Sequence, residues 1–142
     1  MWHISSPYSS IFRTLVRQLI DEMFLSYWLC WCFVRYCRNE NINIGYLNHW
    51  LTDFVFVPII LHFSTVIYNQ LININGIITL KLWQAIFLST YVAVVFEIIL
   101  PQTTPYNVAD WGDTLAYCLG ALWYTFVHQK VYVHRRLQAI KF

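Results

Sequence analysis

From Leu82 to Leu100 the chain carries a single charged residue, Glu97. Two other stretches are nearly as apolar. Trp50 to Tyr68 holds one acid, Asp53, and one histidine, His62, and Trp111 to Val127 holds only Asp113. Each run is close to the roughly 20 residues that a helix needs to cross about 30 Å of hydrocarbon. An ordinary soluble domain is about half apolar and about a quarter charged, whereas this 142-residue chain is 58% hydrophobic and 11% charged. The excess sits in continuous runs, which is the membrane pattern. A soluble bundle of very greasy helices is the alternative.

A further span is expected from the short run Met23 to Tyr36, extended backward through Leu15-Val16 and past Asp21-Glu22. Ahead of it, Ser10 to Ile20 reads as an amphipathic entry helix, with Ile11, Leu15 and Leu19 on one side and Arg13 and Arg17 on the other. Arg17 and Asp21 are spaced to pair on one helix face. The expected fold is therefore all-α: one membrane-embedded helical bundle with spans near 17–36, 50–68, 82–100 and 111–128 and a short amphipathic N-terminal helix. Three spans is the fallback. The early apolar run meets Asp21-Glu22 with no small-x-small site after it, so no cleavable signal is expected.

Four spans put Arg13, Arg17, Lys81, Lys130, Arg135, Arg136 and Lys141 on one side, against Arg35 and Arg38 on the other. That bias predicts an inner-membrane protein with both termini in the cytoplasm. Trp50, Trp83 and Trp111 fall near span ends, where interfacial anchors belong. In this orientation Asp53, Glu97, Asp110 and Asp113 all gather at the non-cytoplasmic end.

Carboxylates at membrane depth persist when paired, hydrated or bound to a cation. Asp110, Asp113 and Tyr117 share one helical stripe that continues to Tyr124, beside a seam of Gly112, Ala116 and Gly120 that admits a close neighbour. His49 and Asp53 share a face. Pro58 frees the carbonyl of Phe54, and Pro101 frees that of Glu97 if the helix runs that far. Glu97, Asp113, Asp110, Asp53 and Tyr117 are the candidate ligand-binding residues, with Glu97, Asp113, Asp53 and His49 as metal ligands. Hard oxygens of this kind suit Mg²⁺ or Ca²⁺, and His49 leaves Zn²⁺ or Mn²⁺ open. The competing reading makes Asp53, Asp110 and Asp113 helix-start residues that satisfy free N–H groups. It does not extend to Glu97, which ends its helix.

Cys30, Cys32, Cys37 and Cys118 read as buried thiols with no disulfide framework. His62 reads as a hydrogen-bonded packing residue, and His128 and His134 as part of the basic tail. No phosphate loop, nucleotide fingerprint or nucleophile elbow is present, and the basic tail suits anionic lipid rather than nucleic acid.

"LNHWLTDFVFVP" (47–58), "FEIILP" (96–101) and "YNVADWGDTLAYCLGALWY" (106–124) together resemble a family of small polytopic membrane proteins of Bacteroidota. The shared skeleton is an Asp before a Pro, Phe-Glu ahead of Pro, and Asp-Trp-x-Asp leading an apolar helix with Tyr and Gly. Members are labelled magnesium–citrate secondary transporters. The Glu…Pro…Asp…Gly order is also similar to VanZ-like proteins associated with glycopeptide resistance. The likeness covers roughly residues 47 to 126; the first 45 residues match poorly.

Three readings follow. One is a membrane protein whose outward acidic pocket binds a cation or cationic solute, serving transport, with homodimerisation expected because four spans are few for alternating access. Another is an accessory subunit held by a partner membrane protein. The third is a metal-assisted, membrane-embedded hydrolase in which Glu97 or His49 moves the proton.

Overall fold

Asp21 breaks the N-terminal third of the chain into two helices. In the computed structural model, which describes residues 7–72, 77–103 and 110–140, α1 covers Pro7–Leu19 and α2 covers Glu22–Asn39. The Asp21 backbone is extended and its Oδ1 accepts the N–H of Phe24 at 2.7 Å, an N-cap that starts α2 afresh. The expected continuous span over 17–36 is thus corrected: a residue placed within a helix instead begins one. α1 takes the place of the amphipathic entry helix, with Pro7 at its first position, where a missing N–H costs nothing.

α3 covers Leu47–Leu71 and α4 covers Leu82–Thr103. The last helix, α5, runs Trp111–Trp123, widens over Tyr124–His128 and resumes Gln129–Ile140. The N–H of Lys81 is taken by Gln84 Oε1 at 2.8 Å at the start of α4, and Asp110 Oδ1 accepts the N–H of Gly112 at 2.8 Å at the start of α5. Two π-helical segments interrupt otherwise α-helical runs: Val94–Ile99 in α4 and Tyr124–His128 in α5. The first lies directly before Pro101, whose ring collides with the carbonyl four residues back in a regular helix. Widening that turn relieves the collision, so α4 continues through the proline to Thr103.

α3 is the hub. It packs against α1, α2 and α5, while α4 packs on α5. The core joins Val57 and Leu61 of α3, Ala85, Val92 and Ala93 of α4, and Tyr117, Ala121 and Tyr124 of α5. Pro58 is buried inside α3, and Gly120 of α5 crosses there so closely that an added Cβ would fall on the carbonyl of Phe54. The proline-freed carbonyl is thus covered by the neighbouring helix.

Beside this apolar core, the helices bury several polar side chains and expose many large apolar ones. His62, Thr65, Asn69, Ser89, His128 and Gln129 are buried, whereas Leu29 and Phe87 are each 70% exposed and Leu119 is 57% exposed. Among the described residues, two helices are long and apolar enough to cross a membrane, Trp50–Leu71 and Leu82–Thr103. α5 is long enough, but its Trp, Tyr and Gly residues dilute the aliphatic run.

Two amide side chains secure the segment entering α4. Asn69 gives its Nδ2 to the Ile78 carbonyl at 2.7 Å and takes the Ile78 N–H at 2.6 Å. Gln129 does the same for Leu80, at 2.9 and 2.8 Å. Each thereby satisfies backbone groups that no regular element pairs. Asn69→Ala is expected to cost about 2 kcal/mol, because it orphans part-buried backbone groups. Unfolding of the purified protein in detergent measures it, and a loss under about 0.5 kcal/mol would show that the segment is held by other means.

The cysteines are free: Cys37 is buried, Cys30 and Cys118 are half-buried, and Cys32 is exposed, against the expectation of four buried thiols.

Candidate functional site

Two polar clusters occupy opposite ends of the α3–α5 contact, and each involves one of the π-helical segments. Such segments recur at functional positions because the wider turn re-aims side chains and backbone groups.

The acidic cluster draws on three helices. Asp53 in α3 accepts the Tyr117 hydroxyl of α5 at 3.2 Å. Glu97, in the π segment of α4, accepts the N–H of Asp110 through Oε2 at 2.7 Å. The charges of Asp113 and Glu97 both act on Asp53, as does that of Arg38, whose guanidinium is 3.4 Å from the Thr52 hydroxyl. Glu97 and Asp110, with Thr90, Val94, Trp111 and Thr114, line a cleft of about 280 Å³ between α4 and α5. Asp53 with Tyr117 and Glu97 with Asp110 thus form two hydrogen-bonded pairs at one end, and Asp113, in the first turn of α5, and Glu97 are both within Coulombic reach of Asp53. The side chain of His49 lies outside the described residues.

Two of these acids also serve the backbone. Asp110 caps its own helix, as the helix-start reading expects. Glu97 does what that reading did not allow: from near the end of its own helix it caps the start of the next one. The cap was not legible because donor and acceptor belong to different helices.

The second cluster was not expected as a unit. Asp21 offers Oδ1 to the α2 cap and Oδ2 to two histidines. His128 Nε2 lies 2.8 Å from Oδ2 and His62 Nε2 lies 3.8 Å from it. The two rings stack, with centroids 4.4 Å apart and planes at 23°. Both side chains are fully buried. His128 Nδ1 meets the Tyr27 hydroxyl at 3.1 Å, and that oxygen takes the Trp123 indole N–H at 3.1 Å. His62 Nε2 meets the Leu19 carbonyl at 3.1 Å, at the end of α1. The expectation of His62 as a hydrogen-bonded packing residue is met but too small. His128, expected in the basic tail, is instead fully buried, because it lies on the inner face of α5, whereas His134 is exposed. Asp21 is engaged by the histidines rather than by Arg17. The only sequence signal was an unusual one: two histidines deep in apolar helices, with an acid at a predicted helix mouth.

Beside the histidines, the Tyr124 hydroxyl donates to Thr65 at 2.8 Å, and Thr65 donates to the Leu61 carbonyl at 2.8 Å. The contact between α3 and α5 is therefore polar at intervals along its length.

No family model, curated protein or solved structure matches the chain.

Proposed function

We propose that the chain is a four-span inner-membrane protein with both termini in the cytoplasm, whose outward acidic end binds a divalent cation or cationic solute, serving transport. α2 supplies the first span, and α1 leads into it with its end against His62 of α3. Support for a lipid setting comes from the exposed apolar side chains, which include Leu25, Leu29 and Phe33 on α2 and Leu115 and Leu119 on α5. Trp83 and Trp111, near helix starts, are 65% and 87% exposed, as interfacial anchors are.

The observation that carries the ligand reading is convergence. Asp53 on α3, Glu97 on α4, and Asp110 and Asp113 on α5 gather beside a cleft, with Arg38 as the cation acting on Asp53. Concentrated negative charge attracts a cation, and all-oxygen donors favour Mg²⁺ or Ca²⁺ over softer ions. Asp53, Glu97 and Asp113 would be ligands, with Tyr117 orienting Asp53.

A specific observation also favours a second reading, an accessory subunit held by a partner membrane protein: Glu97 and Asp110 already accept backbone N–H groups, which accounts for two of the acids without any ligand.

Thermal unfolding in detergent separates the two. Mg²⁺, Ca²⁺, Mn²⁺ and Zn²⁺ are titrated against wild type, Glu97→Gln and Asp113→Asn. A bound ion at a hundred times its dissociation constant adds about 2.7 kcal/mol, and the cation reading expects this for one metal, lost in both variants. The Glu97→Gln change keeps a side-chain oxygen to accept the Asp110 N–H, so the cap survives the test. The cation site is overturned if no metal gives a shift that both variants lose.

A further inference from the structure

We propose that Asp21, His62 and His128 form a second, separate binding site, for one divalent transition ion of the zinc class. One ligand atom from each residue lies within 4.8 Å of the others. Around a tetrahedral ion with bonds of about 2.1 Å, neighbouring ligand atoms stand about 3.4 Å apart. The observed 2.8 and 3.8 Å from Asp21 Oδ2 bracket that separation, and shifts that also turn the two stacked rings toward a common point would close the set. Two imidazoles and one carboxylate select Zn²⁺, Co²⁺ or Fe²⁺ rather than Mg²⁺ or Ca²⁺.

The supporting groups are those of a metal centre. Asp21 is held by its cap, with Oδ2 directed at the histidines. His128 is oriented by Tyr27, whose oxygen is fixed in turn by Trp123. A hydroxyl both donates and accepts, so Tyr27 can serve Nδ1 before and after Nε2 gives up its proton.

A plain hydrogen-bond network explains His128 and the Leu19 contact of His62 Nε2, but not the second nitrogen of His62. His62 is fully buried, and its Nδ1 has no hydrogen-bond partner; nor does the buried Gln18 Oε1 on α1. Buried orphans of this kind are rare and call for a cause. A metal on His62 Nε2 shifts the ring proton to Nδ1, turning a spare acceptor into a donor, and Gln18 Oε1 is an acceptor of the matching kind. The Leu19 carbonyl, beside His62 Nε2, offers a protein oxygen for a fourth position. The ion ties the corner between α1 and α2 to α3 and α5.

The test uses the full chain in detergent, purified without a histidine tag, stripped with chelator and titrated with Co²⁺. Wild type is expected to bind one equivalent with a visible absorption band, displaced by Zn²⁺. His62→Gln, His128→Gln and Asp21→Asn are expected to weaken binding at least tenfold, and Tyr27→Phe, a positioning change, by on the order of 10-fold. Asn caps a helix as well as Asp, so Asp21→Asn keeps α2 intact and carries the test even if the histidine variants fail to fold. Glu97→Gln is expected to bind Co²⁺ as wild type does, which keeps the fate of this site separate from that of the acidic end. No visible band in wild type, or affinity in Asp21→Asn within twofold of wild type, overturns the proposal.

Discussion

Gly120→Val is expected to destabilise the protein by about 3 kcal/mol or more, the upper range for overpacking a tight interior. Gly120 is buried where α5 crosses α3, and an added Cβ would meet the Phe54 carbonyl and, at 3.0 Å, Cδ of Pro58. Neither atom belongs to a side chain that can swing away. The helices must separate, which stretches the Tyr117–Asp53 and Tyr124–Thr65 hydrogen bonds on either side of the crossing. Gly112→Ala is the control. Its added Cβ would approach Trp50 Nε1 at 2.5 Å, but that indole belongs to a residue that is 43% exposed and can rotate outward. A cost below about 1 kcal/mol is expected there. Detergent unfolding followed by circular dichroism measures both, and equal losses would refute the tight crossing.

His128→Leu is the second large effect. It removes the closest side-chain partner of Asp21 and the Nδ1 partner of the Tyr27 hydroxyl in one step, while leaving the volume roughly filled. A part-buried carboxylate and a buried hydroxyl then lose partners, for a cost of about 3 kcal/mol. His134→Leu, on the exposed face of the same helix, should cost under about 0.5 kcal/mol. If the Asp21→Asn, His128→Leu double variant is no less stable than His128→Leu alone, the loss runs through the Asp21 contact. Fully additive losses would show instead that His128 acts through packing.

The apolar runs read over 50–68, 82–100 and 111–128 fall inside helices over 47–71, 82–103 and 111–140, and were legible because each is a local pattern: a long apolar run bounded by polar residues and proline. The seam of Gly112, Ala116 and Gly120 was legible for the same reason, since helical spacing alone places small residues on one face. Grouping the acids at one end needed only the order and alternating direction of the helices. The break before α2 was misread because Asp21 and Glu22 look alike in a hydropathy pattern, although one caps and the other begins the helix.

Apolar runs and their spacing thus carried the helices and the end at which the acids gather, because periodicity and hydrophobicity act over a few turns. Tertiary structure alone decided which groups meet. Asp21 finds His128 more than a hundred positions away, Glu97 caps a helix other than its own, and Pro58 is matched by a glycine from α5. Such pairings depend on which face of each helix turns inward and at what height, and packing sets both.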